Sequence, residues 1–81
     1  MARVSGKADD DGALPKLGAA ILTCRRERAI SQEALADASG IDRSHMGKIE
    51  RGERNVTLLN VLKIANALGC PASELLRRGG L

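Results

Sequence analysis

The chain has 81 residues, a formal net charge of +3 and 43% hydrophobic residues, but no Phe, Tyr or Trp. This length allows a single domain whose small core is built from aliphatic side chains. The lack of aromatic rings argues against RNA-binding folds and single-strand binders, which stack bases on such rings.

Basic residues are clustered, and three of the ten acidic residues form one run, Asp9-Asp10-Asp11. The rest of the chain is therefore more basic than the net charge indicates. The basic clusters are Arg25-Arg26-Arg28, Arg43-Lys48-Arg51-Arg54 and Arg77-Arg78. A solvated surface is one explanation of these clusters, and attraction to nucleic-acid phosphates is the one we favour.

The two cysteines, Cys24 and Cys70, have no metal-ligand spacing. A zinc site formed with His45 is the alternative, but the spacing gives it no support, so we expect two reduced thiols and neither a metal nor a cofactor. No signal peptide or apolar stretch of membrane length is visible. We therefore expect a cytoplasmic protein with no membrane partner.

In chain order, residues 1–13 are predicted to be a flexible tail, because they are rich in Gly, Asp, Ala and Lys. The acidic run would repel phosphate, so only Arg3 is a candidate for DNA contact there. The folded domain is predicted over residues 14–78. Its first helix is expected to run from Leu14 or Pro15 to about Arg28, and its buried stripe is Leu14, Leu17, Ile21 and Cys24.

Residues 31–50 predict two short helices joined at Gly40, a position that favours positive φ. Ser31 is the expected N-cap of the second helix, residues 32–39, and Asp42 caps the third. Two such helices in this order are a helix-turn-helix signature, which indicates DNA binding.

Two more helices follow the stop predicted at Gly52. Thr57 is expected to cap the fourth helix, which ends at Gly69, and a short fifth helix is expected to pack Leu75 and Leu76. The predicted apolar face of the fourth helix is Leu58, Val61, Leu62, Ala65 and Leu68. Residues 79–81 are expected to fray. The predicted fold class is thus all-α, a compact domain of five helices.

Several segments together resemble the lambda-repressor-like family of helix-turn-helix regulators, the Cro and repressor type also called XRE. They are Ile21-x-x-x-Arg25, Ser31-Gln32-Glu33-Ala34-Leu35-Ala36, Gly40-Ile41, Ile49-Glu50-Arg51-Gly52 and Ala65-x-x-Leu68-Gly69. The segment DRSHMGKIERGERN is also similar to the small controller proteins of restriction-modification systems. The resemblance implies the five-helix domain with a helix-turn-helix and a flexible N-terminal tail.

The third helix is expected to carry the base contacts. The candidates are Arg43, Ser44, Gly47 and Lys48. A guanidinium at Arg43 can pair bidentately with guanine, although phosphate neutralisation is the alternative. Gly47 departs from the family pattern, and it either permits close approach of the backbone to DNA or removes one base contact.

Phosphate contacts are expected around the ends of the same helices. The candidates are Ser31, Gln32, His45, Arg51, Arg54 and Asn55. Gln32 opens the second helix, where free N–H groups favour an anion, and the resemblance implies that its side chain binds a phosphate. His45 either touches the DNA backbone or packs as a half-buried ring. Asn55 either binds phosphate or only shapes its turn.

Two further roles follow from the resemblance. It implies a partly buried ion pair between Arg25 and Glu50 that fixes the angle of the recognition helix. It also places Leu59, on the fourth helix, near the surface that related proteins use for dimerisation. A two-fold contact there would set two recognition helices about 34 Å apart on a palindrome.

The leading hypothesis is a sequence-specific transcriptional regulator that binds double-stranded DNA as a homodimer at a palindromic operator, with its own promoter as a candidate target. The alternative is an antitoxin whose DNA binding serves autoregulation; RNA polymerase and a toxin are the candidate protein partners. An enzyme is not expected, because the chain has one histidine, no metal-ligand spacing and no phosphate-binding loop.

Overall fold

Five α-helices account for most of residues 9–81, the part of the chain that this computed structural model describes. They are α1 (Ala13–Glu27), α2 (Gln32–Ser39), α3 (Arg43–Glu50), α4 (Leu58–Leu68) and α5 (Ala72–Arg78). No strand occurs among these residues. The predicted all-α, five-helix fold class is confirmed.

Side-chain caps fix where the three central helices begin, as predicted. The Ser31 hydroxyl accepts the N–H of Ala34 at 3.0 Å, and the Thr57 hydroxyl accepts the N–H of Asn60 at 3.1 Å. The Asp42 carboxylate accepts the N–H groups of the first turn of α3. Each cap satisfies a backbone donor that has no partner inside its helix.

The first helix begins slightly earlier than the sequence predicts, because Asp9 caps it. Its carboxylate accepts the N–H groups of Ala13 and Leu14 at 2.8 and 2.9 Å. Residues 9–13, which we predicted to belong to the tail, therefore contain the cap and the first residue of α1. The rest of the predicted tail, including Arg3, lies outside the described residues.

The core contains aliphatic side chains, methionine and cysteine from all five helices, which suits a chain without aromatic rings. Its fully buried members include Ile21, Leu35, Met46, Ile64 and Leu75. Leu14 is only half-buried, because it lies in the first turn of α1, beyond the main cluster. The other three predicted members of that stripe are buried.

The buried face of α4 differs from the prediction. Val61, Ile64, Ala65 and Leu68 face the core. Leu58, Leu59 and Leu62 are instead 73%, 61% and 46% exposed, and we call these three residues the α4 leucine patch. The expectation was wrong for Leu58 and Leu62, because a helix with apolar residues on both sides does not indicate which side its neighbours will cover.

The C-terminus of the chain is also more regular than predicted. The N–H of Leu81 donates to the Leu76 carbonyl at 2.8 Å, and the N–H of Gly80 donates to the Arg77 carbonyl. Gly80 has a positive φ of 76°. This is the Schellman arrangement that closes a helix, so residues 79–81 continue the hydrogen bonding of α5 rather than fraying. Leu76 is partly exposed, and only Leu75 packs fully into the core.

Backbone contact between α1 and the end of α3 fixes the position of α3. A Cβ added at Gly18, in the middle of α1, would lie 2.5 Å from the carbonyl oxygens of both Ile49 and Glu50. One added at Gly52 would lie 2.6 Å from Pro15. The sequence analysis missed Gly18, although an isolated glycine inside a helical pattern is a signal of close packing.

Candidate nucleic-acid interface

The start of α2 and the outer face of α3 converge on an open concavity of about 470 Å³. Its lining residues are Gln32, Asp42, Arg43, Ser44, Gly47, Lys48 and Arg51. Six of these seven were predicted DNA contacts from the sequence, and the fold brings them together. The other four candidates, Ser31, His45, Arg54 and Asn55, do not line the concavity.

Arg43 opens α3 with a side chain that is 69% exposed, and its guanidinium lies 3.4 Å from the Glu33 carboxylate of α2. Glu33 is 60% exposed, so this contact is a weak one that water and salt screen. The guanidinium can therefore exchange Glu33 for another acceptor at little energetic cost. Neighbouring Ser44 is exposed, whereas Lys48 is half-buried.

Gly47 lines the concavity together with the other base-contact candidates, but it is itself buried. A Cβ at this position would lie 3.1 Å from the Arg51 guanidinium and 3.4 Å from the Gln32 amide oxygen. Both atoms belong to flexible side chains that pass over the glycine backbone. The missing side chain therefore leaves room beside α3 for the side chains of Gln32 and Arg51.

Gln32 is the first residue of α2, and its side-chain nitrogen donates to Glu50 at 2.9 Å. An amide nitrogen carries two protons, so one stays available to an acceptor such as a phosphate oxygen. The contact with Glu50 limits how far the side chain can rotate. The sequence analysis predicted that Gln32 contacts a phosphate, but it did not predict the hydrogen bond with Glu50.

Arg25 and Glu50 form a bidentate ion pair. The Arg25 Nε and Nη2 atoms donate to the two Glu50 carboxylate oxygens at 2.8 and 3.0 Å, and Nη1 donates to the Ile30 carbonyl. Only 11% and 4% of the two side chains are exposed. The hydrogen bonds with Glu50 raise the pKa of Arg25, against the effect of burial. The pair thus ties α1 to the last residue of α3.

The segment after α3 presents further basic and polar groups. The Arg51 guanidinium is paired with the exposed carboxylate of Glu53 at 2.9 Å, a partner that the sequence analysis missed. Arg54 and Asn55 follow as exposed residues. His45, by contrast, is half-buried on α3. The loop residues are accessible to a phosphate backbone that passes the end of α3.

Metal binding finds no support among residues 9–81, where no group of three or more His, Cys, Asp or Glu side chains is arranged to hold an ion. Within the same residues, none of the helices has the length and apolar character needed to cross a bilayer.

Comparison with known proteins gives a family match over most of the domain. The sequence model described as Helix-turn-helix, HTH_3, matches residues 21–75. The control protein C.SmaI of Serratia marcescens is 48% identical over 52 residues, which cover 64% of this chain and 62% of that protein. The control protein C.MunI of a Mycoplasma species is 39% identical over 61 residues, which cover 74% of this chain and 82% of that protein.

A solved structure agrees with both sequence matches. It is that of the restriction-modification controller protein C.AhdI from Aeromonas hydrophila, which has 48% identity to this chain and a TM-score of 0.75. The alignment covers 76% of this chain and 94% of that one. The resemblance inferred from the sequence, including its narrower form, is confirmed.

Proposed function

Because the chain belongs to the helix-turn-helix family of DNA-binding transcriptional regulators, we propose that it binds a palindromic operator as a homodimer and regulates transcription, including that of its own gene. Its similarity to restriction-modification controller proteins supports a controller of the same kind. The observation that carries the proposal is the convergence of the α2 N-terminus and the α3 outer face on one basic concavity.

Each candidate residue is assigned a role in this proposal. Arg43 and Ser44, with Lys48 one turn further along α3, read base edges in the major groove, where a guanidinium distinguishes guanine by two hydrogen bonds. Gln32 and Ser31, at the free N–H groups of α2, bind one phosphate, and Arg54 and Asn55 bind another. Further phosphate contacts come from Arg51 and His45. Gly47 lets the α3 backbone approach the DNA closely.

Dimerisation is assigned to the α4 leucine patch, which includes Leu59, the residue that the sequence resemblance placed near a dimer surface. Three exposed leucines on one helix are more apolar surface than an isolated small domain needs. A two-fold contact through them would double the number of base and phosphate contacts per site. It would also place two recognition helices about one DNA turn apart.

A binding titration tests the proposal. We expect DNA from upstream of the gene to bind at least about a thousandfold more tightly than a scrambled duplex near 150 mM salt, with two protomers per site. Equal, weak and steeply salt-dependent binding to both duplexes would contradict it. That result would direct attention to a protein partner such as a toxin or RNA polymerase.

Arg43→Ala gives the sharpest test of the base-reading role. We expect operator affinity to fall by about tenfold to a hundredfold while the melting temperature stays unchanged, because the side chain is exposed. Arg77→Ala is the matched control, since Arg77 is also an exposed arginine paired with a glutamate, Glu74, but lies on α5. Equal losses in the two variants would show that Arg43 contributes charge alone.

A further inference from the structure

Glu33 is an acidic residue beside the proposed DNA-binding surface, where attraction to phosphate requires basic groups. It is the second residue of α2, and its side chain is 60% exposed. A negative charge in the first turn of a helix interacts favourably with the helix dipole, which is one reason for an acid at this position. The dipole does not account for the contact that Glu33 makes with Arg43, the first residue of α3.

The contact between the two side chains engages one end of the Arg43 guanidinium. The Arg43 Nη1 atom lies 3.4 Å from the Glu33 Oε2 atom. A guanidinium has five N–H donors in a planar group. One terminal nitrogen can therefore remain beside Glu33 while the edge formed by Nε and Nη2 donates two hydrogen bonds to O6 and N7 of a guanine.

Asp42, the acid that precedes Arg43 in the sequence, has a different role. Its Oδ2 atom accepts the N–H of Ser44 at 3.0 Å and the N–H of His45 at 3.3 Å, so its carboxylate holds the first turn of α3. Glu33 reaches Arg43 from α2, across the turn of the helix-turn-helix. Glu33 is thus the acid whose contact sets the direction of the Arg43 side chain.

We propose that Glu33 is a specificity-determining residue, which holds Arg43 where it reads guanine and withholds it from phosphate where no guanine is present. Guanine is a neutral acceptor, so Arg43 reads it while the contact with Glu33 persists. A phosphate repels the Glu33 carboxylate, so Arg43 binds a phosphate only when that contact breaks. Since Arg43 reads a base only if the chain binds DNA as proposed, this role rests on the proposed function.

The exposure of both side chains limits the size of the effect. Arg43 is 69% exposed, so water and salt screen its attraction to Glu33. A pair of this kind changes an equilibrium by about threefold. Because a dimer would contain two such pairs, the ratio of operator affinity to scrambled-duplex affinity should depend on Glu33 by about threefold to tenfold.

DNA titration of Glu33→Gln beside Asp37→Asn tests the proposed role, because each substitution removes one negative charge from α2. Asp37 lies one turn further along the helix, is exposed, and forms no ion pair within the described part of the chain. Glu33→Gln should lower the ratio of operator to scrambled-duplex affinity by at least about threefold relative to Asp37→Asn. Both variants should keep the helical circular dichroism of the wild type.

The salt dependence of binding to the scrambled duplex gives a second readout. The plot of log affinity against log salt concentration should be steeper for Glu33→Gln than for Asp37→Asn by about one per protomer, since the released Arg43 neutralises a phosphate. In an Arg43→Gln background, Glu33→Gln should have no more effect than Asp37→Asn, because no guanidinium is left to release.

The outcomes distinguish the role of Glu33 from the proposed function. If the wild type prefers the operator but Glu33→Gln and Asp37→Asn have equal affinity ratios or equal salt slopes, the role of Glu33 is overturned and the proposed function stands. Wild-type binding that does not distinguish the operator from the scrambled duplex would overturn both.

Discussion

Glu50 is a buried acid at the end of α3, where the carbonyl groups of the helix already point and an acidic side chain is unfavourable. Arg25 and Gln32 offset this with three hydrogen bonds to its two oxygens. Its neighbours come from α1 and α2, so this carboxylate connects both helices to the last turn of α3. Together with the close backbone packing at Gly18, this side chain therefore fixes the orientation of α3.

We predict that Glu50→Ala lowers the free energy of unfolding by about 3 kcal/mol, because the Arg25 guanidinium is left buried without its counter-charge. DNA affinity should fall with it, since α3 loses its fixed angle. Thermal and urea denaturation measure the first effect, and titration at a temperature where the variant is folded measures the second.

Glu53→Ala is the matched control, because Glu53 also pairs with an arginine, Arg51, but both side chains are exposed. Its loss should leave the melting temperature almost unchanged, because solvent screens an exposed ion pair. An unchanged melting temperature in the Glu50→Ala variant would contradict the proposal that the ion pair fixes the angle of α3.

Ser39 shows how this small core accommodates a polar residue. Its hydroxyl is buried, and it donates to the Leu35 carbonyl at 2.7 Å. No buried side-chain nitrogen or oxygen among residues 9–81 is without a partner. The described core therefore contains a buried hydroxyl without leaving it unpaired.

At the scale of elements, the crossing of α1 over the end of α3 decides where the recognition helix lies. The crossing is closest at Gly18, which has the carbonyl groups of Ile49 and Glu50 directly above its Cα. Backbone cannot move aside as a side chain can. The two helices are therefore held together by close backbone packing at Gly18 and by the ion pair of Arg25 with Glu50.

Two glycine-to-alanine substitutions in helices should have opposite effects. Alanine normally stabilises a helix by about 1 kcal/mol relative to glycine. Gly18→Ala should nevertheless destabilise the protein by about 2 kcal/mol or more, because its Cβ would overlap α3 backbone. Gly47→Ala should be neutral or stabilising, since its Cβ meets only the mobile ends of Gln32 and Arg51.

Denaturation of both variants measures these differences, and operator titration adds the functional contrast. Gly47→Ala should weaken DNA binding without loss of stability if the α3 backbone approaches the DNA closely there. A stable Gly18→Ala variant would contradict the tight crossing of α1 and α3.

For the whole molecule, the arrangement of exposed groups matters more than the net charge of +3. The basic concavity lies at α2 and α3, and the α4 leucine patch is a separate apolar surface. We propose that the first surface binds DNA and that the second binds another copy of the chain. We expect the two to act together, because dimerisation multiplies the DNA contacts of a small domain.

Leu59→Asp should therefore give a monomer in sedimentation or light-scattering measurements, and its operator affinity should fall by at least about tenfold. Its fold should persist, because the side chain is 61% exposed. Leu81→Asp changes an exposed leucine outside the patch and serves as the control. If the Leu59→Asp protein remained a dimer, the assignment of the dimer interface to the α4 leucine patch would be wrong.

Local sequence signals alone determined the positions of the helices. Ser31, Asp42 and Thr57 predict helix starts, and Gly40 and Gly69 predict stops, because caps and positive φ act within a few residues. The order of two short helices around Gly40, with basic residues on the second, was enough to predict the fold class and DNA binding. The same segments led to the family that the comparisons confirm.

Only the tertiary structure decided how these helices use their side chains. It buried Ile64 rather than Leu58 and Leu62, attached Gln32 to Glu50, and packed Gly18 against the backbone carbonyls of Ile49 and Glu50. Each of these contacts joins residues far apart in the sequence, or depends on which face of a helix its neighbours cover. Periodicity identifies an apolar stripe, but the choice between two stripes is made by long-range packing, which local sequence does not encode.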